Sequence, residues 1–264
     1  ELASRKDQKE QARAARVETE QKEEAAKKRK QRIALVIGVV VVAVVVIVAA
    51  IAISQSGSSD SGDTKATKDE GATITKRFAG IPQDNTQIGD KKAPVTLIEF
   101  GDLQCPVCKQ FSDDAIPTLI KDYVKPGKLQ MDFRFQTFVA EQVNNDSERA
   151  ARFALAVGFQ NKMWQFNDLF YTNQGQEGSG YVTDQFLRDT AEQIPGLDVD
   201  QAFKERDSTK IDEELVAASQ EFQDNGFSGT PSFLIGKTGS KLEKFEYSAL
   251  TADEFTAKID ELLK

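Results

Sequence analysis

Histidine occurs nowhere in the 264 residues. Its absence excludes Ser-His and Cys-His nucleophile pairs, His-ligated zinc and imidazole acid-base catalysis. Cysteine is nearly absent too: both copies fall in one stretch, Glu99 to Cys108, "EFGDLQCPVC". A basic stripe is also missing. Residues 1 to 32 hold 11 basic and 7 acidic groups, leaving 23 basic and 35 acidic for the rest, a net charge of −12. So acidic a remainder argues against nucleic-acid binding.

What is present divides the chain. Residues 33 to 53, "IALVIGVVVVAVVVIVAAIAI", are 21 apolar residues without a charge. As a helix that run spans roughly 30 Å, the hydrocarbon thickness of a bilayer. "KKRKQR" (27 to 32) precedes it, while "SQSGSSDSGD" follows with no Lys or Arg. The positive-inside rule then places the N-terminus in the cytoplasm and the C-terminal part outside the cell membrane, as a single-pass protein. A cleaved signal peptide is the rival, because Ala50-Ile51-Ala52 resembles a cleavage site. A run this long exceeds a typical signal core, which favours an uncleaved anchor. Residues 1 to 32 read as a charged cytoplasmic tail, and 54 to 72, rich in Ser, Gly, Asp and Lys, as a flexible linker. One folded domain, 73 to 264, remains, large enough to bury its own core.

Within that domain "VTLIEFGD" is a nearly continuous apolar run, as a central strand requires. "PVCKQFSDDAIPTLIKDYV" (106 to 124) has helical spacing, with Pro117 expected to kink it. "KLQMDFRFQTF" alternates with period two, a strand. Five helical patterns fill 146 to about 225. "SFLIG" (232 to 236) and "KLEKFEYS" (241 to 248) then read as strands around the turn "KTGS", and Thr251 with Glu254 forms a capping-box pattern before a last helix. The order βαβ, helical block, ββα predicts an α/β, thioredoxin-like fold: a central mixed sheet flanked by helices, with a helical insertion and a preceding transmembrane helix. Trp164 and the phenylalanines of the insertion read as core.

The cysteine pair has four readings. A structural zinc site needs four ligands, and this chain supplies two. A structural disulfide across two residues closes a tiny loop and stabilises little. Two inert buried thiols gain nothing obvious in an oxidising compartment. The redox reading has a mechanism. A helix starting at Cys105 makes that residue the N-cap, with Pro106 at N1, where its missing N–H costs nothing. The sulfur then faces the free N–H groups of Val107 and Cys108 and the positive end of the helix dipole, which favour thiolate over thiol. Thiolate stabilisation makes the disulfide a stronger oxidant. Cys108, one turn inward, is the buried resolving thiol.

The chain resembles the DsbA-like thiol-disulfide oxidoreductases in their membrane-anchored bacterial form. The resemblance covers about residues 80 to 264. It rests on "GIPQDNTQIGDKKAPVTLIEFGDLQCPVC", on the helical insertion, and on "GFSGTPSF" (226 to 233) entering a strand some 120 residues after the first cysteine. It implies that Cys105 is the exposed nucleophile and Cys108 its buried partner. It further implies that Pro231 is a cis-proline against the pair, with the Thr230 backbone pairing with an extended substrate. Glu99, an acid inside an apolar strand, matches a buried acid that moves the proton of the buried cysteine; its rivals are a lysine pair or a sheet edge. Pro106 and Val107 tune the potential. The best-known oxidases of the family carry His where this chain has Val107, which implies a less extreme oxidant.

The expected function is therefore an extracytoplasmic oxidase that introduces disulfides into exported, unfolded or partly folded proteins. It needs no cofactor beyond the Cys105–Cys108 disulfide and no metal. By family analogy a membrane quinone-linked thiol oxidase reoxidises it. A tethered reductase or isomerase uses the same pair with electrons reversed, and a chaperone-like holding domain is the non-enzymatic alternative.

Overall fold

The computed structural model describes residues 68–137 and 144–264, all within one compact unit, Thr64–Lys264. Among the described residues no helix is long and apolar enough to cross a membrane. The tail, the apolar run 33–53 and most of the linker lie outside them.

Helix α1 (Lys68–Phe78) opens the described chain, starting inside the stretch whose composition reads as linker. Two short strands, β1 (Gln83–Asp84) and β2 (Gln87–Ile88), form a small hairpin that the sequence did not signal. The remaining strands are β3 (Val95–Gly101), β4 (Leu129–Phe135), β5 (Ser232–Lys237) and β6 (Glu243–Lys244). They order as β1-β2-β4-β3-β5-β6, with β3 and β4 parallel and every other pair antiparallel. Strand β3 lies inside the sheet and is buried on both faces, which explains its unbroken apolar run. Its register sets Glu99 opposite Phe133 of β4 and Phe233 of β5.

Between β3 and β4 the chain forms α2 (Pro106–Asp114), α3 (Ile116–Leu119) and a π turn at Ile120–Val124. The expected break is present: α2 stops at Ala115, ahead of Pro117, which has no N–H to continue the ladder. The insertion contains the five helices its periodicity predicts: α4 (Asp146–Gly158), α5 (Met163–Thr172), α6 (Asp184–Ala191), α7 (Val199–Glu205) and α8 (Thr209–Asp224). Thr183 and Asp198 cap α6 and α7 by accepting from Phe186 N–H and Gln201 N–H.

Two expectations at the C-terminal end need correction. "KLEKFEYS" forms strand only at Glu243 and Lys244, with one more backbone bond from Phe245 N–H to the Phe233 carbonyl at 3.0 Å. Beyond them the chain leaves the ladder so that Phe245 and Tyr247 can pack on Phe255 of α9 (Ala252–Leu262). The capping box is not formed either. The Thr251 side chain makes no cap bond, and the Glu254 carboxylate accepts from Ser248 N–H at 2.6 Å and Ala249 N–H at 2.8 Å. Those upstream donors are closer to hand than the N-cap N–H.

Candidate active site

Cys105 is the N-cap of α2, in an extended conformation (φ −72°, ψ 121°), with Pro106 opening the helix. No acidic residue stands in the first turn to offset the positive helix end. The resemblance implies an exposed sulfur, but Cys105 is only 7% exposed. The covering comes from the turn that enters β5: its Sγ lies 3.4 Å from the Thr230 carbonyl oxygen. Cys108 is fully buried, so the order of burial within the pair is as expected. Val107, between them, is 44% exposed and forms an apolar point beside the sulfur. The Thr230–Pro231 bond is cis, as the resemblance implies.

The two thiols titrate in opposite directions. Cys105 is pulled down from 9.0 to about 6. Hydrogen bonding from the Cys108 thiol is the main cause; Thr230 and the backbone N–H groups of Cys108 and Val107 add to it, against the opposing effect of burial. Cys108 is pushed well above 9.0, by burial first and then by its bond to Cys105 and the negative charges of Cys105 and Glu99. A backbone bond from Asp102 opposes that rise. Together the pair holds its charge on Cys105.

Glu99 points to the same sheet face as Val95 and Leu97, whose neighbours belong to the main core, while Ile98 and Phe100 enter a second cluster on the opposite face. It is 2% exposed. Neither rival reading holds: Glu99 sits inside the sheet, not at its edge, and the charge that acts on it is the Cys105 thiolate, not a lysine. Burial, aided by that thiolate, raises its carboxyl from 4.5 to about 8. Gly101 leaves room for this packing, since a Cβ there would come within 2.5 Å of the Phe133 ring and 3.2 Å of a Glu99 carboxylate oxygen.

Several site residues gave no sequence signal, because they reach the redox loop from the insertion or from beyond β5. Gln174 Nε2 donates to the Leu103 carbonyl at 2.8 Å and to the Cys105 carbonyl at 3.2 Å. Tyr171 Oη donates to the Asp102 carbonyl at 3.4 Å. Gln104 donates to Tyr181 Oη at 2.9 Å and accepts from Gly178 N–H at 3.1 Å. On the far side Tyr247 Oη donates to the Pro231 carbonyl at 2.9 Å. The insertion thus fixes the backbone from Asp102 to Cys105. Trp164 is core as expected, edge-on to Phe133, but it also lines a small cavity with Glu99.

Residues 82–261 match the family model described as thioredoxin. The chain belongs to the thioredoxin family. Within that family, the "Probable disulfide bond formation protein D" of Bacillus anthracis is 30% identical over 169 residues, covering 64% of this chain and 75% of the relative. Its counterpart in Bacillus cereus is 31% identical over 171 residues with the same coverage. The oxidised crystal structure of BdbD from Bacillus subtilis superposes with a TM-score of 0.57 at 24% identity, covering 68% of this chain and 92% of that one, and shares the fold. This thioredoxin-family chain is a DsbA-like thiol-disulfide oxidoreductase.

Proposed function

We propose that the protein forms disulfides in exported proteins from a membrane tether, with Cys105 and Cys108 as the whole redox group. The opposite displacement of the two thiol pKa values is the observation that carries this reading. A thiolate stabilised at Cys105 stabilises the reduced pair, and so makes the disulfide a willing electron acceptor. In the oxidised enzyme a substrate thiolate attacks Cys105 Sγ, and the S–S bond to Cys108 breaks. Cys108 leaves with the electron pair and takes a proton from the Glu99 carboxyl, which is neutral below about pH 8. The substrate's second thiolate then attacks its own sulfur in the mixed disulfide and expels Cys105 as a thiolate, stable above about pH 6. Two electrons have passed from substrate to enzyme.

Thr230 and Pro231 stand beside the Cys105 sulfur, where an extended substrate can lie against the Thr230 backbone. Val107 offers apolar contact. The apolar run 33–53, with its basic flank, supports a single-pass anchor that holds this domain outside the cell membrane. A quinone-linked thiol oxidase in the same membrane would return the pair to the disulfide.

The reduction potential tests the direction of electron flow. The displaced Cys105 pKa predicts a value above that of thioredoxin, about −270 mV, and short of the strongest oxidases near −120 mV. A value at or below thioredoxin's would instead make this a reductase. Thiol trapping in intact cells gives the matching answer: a pair found mostly as disulfide supports the oxidase.

A further inference from the structure

Glu99 can exchange protons with Cys108 only if it can also exchange them with water, and its carboxyl is shut inside the sheet. A small cavity beneath the redox helix offers a route. It measures about 10 Å3, the room of one water, and its polar lining includes Glu99, Ser112, Asn167, Asp168 and Tyr171. The Asn167 amide is 4% exposed, and neither its oxygen nor its nitrogen has a hydrogen-bond partner. Two orphaned buried atoms at a water-sized polar cavity are what a bound water satisfies. On the outer side the Asp168 carboxylate pairs with Arg77 of α1, whose side chain is 26% exposed and reaches solvent.

We propose that Asn167 and Asp168 position a proton path, through one water in this cavity, between Glu99 and the surface at Arg77. The inference rests on the reading of Glu99 as the proton donor to Cys108. When Cys108 leaves as a thiolate it takes the Glu99 proton. The Glu99 carboxylate takes one from the cavity water, and that water is restored through Asp168 from solvent. Reoxidation runs the same transfers outward. The net change is one proton taken up or released at the surface, with no electron moved along the path. Asp168 is suited to relaying a proton, because burial raises its carboxyl from 3.8 to about 6, against the opposing charge of Arg77. Asp113 of α2 adds to that rise and Lys109 of α2 opposes it, while Cys105 faces Glu99 at the inner end.

The test is stopped-flow reduction of the oxidised full chain by dithiothreitol across pH. A second readout is equilibrium titration of Trp164 fluorescence in the reduced chain, since this sole tryptophan lines the same cavity. Asp168→Asn and Asn167→Leu should each slow reduction roughly tenfold, less than the hundredfold or more that losing a directly acting acid-base group costs, because both residues act through the cavity water. The Trp164 midpoint should stay near 8 in both, because burial and the Cys105 thiolate, which raise the Glu99 carboxyl, are left in place. Arg77→Met, which breaks the ion pair and keeps the acid, should retain fast reduction with the acid limb moved to higher pH. If Glu99→Gln slows the reaction and the Asn167 and Asp168 variants do not, the path is overturned and the role of Glu99 stands. If Arg77→Met slows it as much as Asp168→Asn, the pair is structural and the path is again overturned. If Glu99→Gln has no effect, both readings fall.

Discussion

The rim around Cys105 and the chamber around Cys108 are one helical turn apart and contain the same functional group, yet they treat it in opposite ways. At the rim the sulfur meets a helix N-terminus, the Thr230 backbone and an exposed Val107, and its thiolate is stabilised. In the chamber the sulfur meets Glu99, Tyr171 and the core, and its thiolate is resisted. The contrast is produced by position alone: donors converge on one sulfur, while burial and negative charge surround the other. An asymmetric pair gives the exchange its direction, because the mixed disulfide forms at the sulfur that leaves easily and the buried one must wait for a proton.

The strongest way to break the comparison is to remove the rim sulfur. Cys105→Ser should abolish disulfide transfer to a reduced peptide, whereas the Cys105 thiolate of Cys108→Ser should still attack the disulfide of an oxidised peptide and, with no resolving thiol, stay joined to it as a mixed disulfide visible on a non-reducing gel. Next comes the chamber acid. Glu99→Gln should slow the step that protonates Cys108 by about a hundredfold, measured by stopped-flow reduction.

The same variant should change how stability responds to pH. The folded-state pKa of Glu99 is raised above its unfolded value, so its stabilising contribution is complete below about 4.5 and is lost as pH climbs to about 8. The loss across that window is roughly 5 kcal/mol at about 1.4 kcal/mol per pKa unit. Denaturant unfolding of Glu99→Gln should be correspondingly flatter between those limits. Cys105 has the opposite sign: its depressed pKa stabilises the reduced fold above about 9, and that support disappears as pH falls through about 6. Alkylation of Cys105 by iodoacetamide should therefore show a midpoint near pH 6.

The smallest effects belong to the supports. Gln174→Ala frees the Leu103 and Cys105 carbonyls, and should cost about 1 kcal/mol of stability and move the alkylation midpoint slightly. Tyr247→Phe removes one bond to Pro231 and should cost a similar amount or less, with alkylation unchanged.

Much of this architecture was legible in the chain. The uninterrupted run of β3, the period-two pattern of β4 and the five helical patterns of the insertion all rest on local spacing, and local spacing survives folding. The N-capping position of Cys105 was legible for the same reason, since Pro106 marks a first helical turn whatever packs around it. The two-residue hairpin β1–β2 was not, being too short for periodicity to register. The fraying of "KLEKFEYS" and the diversion of Glu254 were missed because competing partners, Phe255 and Ser248, decide them.

By itself the sequence determined which groups could do chemistry: no histidine, two cysteines with two residues between them, a proline to open their helix and one acid in an apolar strand. Only the tertiary structure decided what those groups became. It covered Cys105 with Thr230, 125 residues away, and buried Glu99 until its carboxyl held a proton. It also brought Gln174, Asn167 and Asp168 from the insertion to the underside of the redox helix. A pKa depends on the dielectric and the charges within a few ångströms, and those neighbours come from parts of the chain that no local pattern connects.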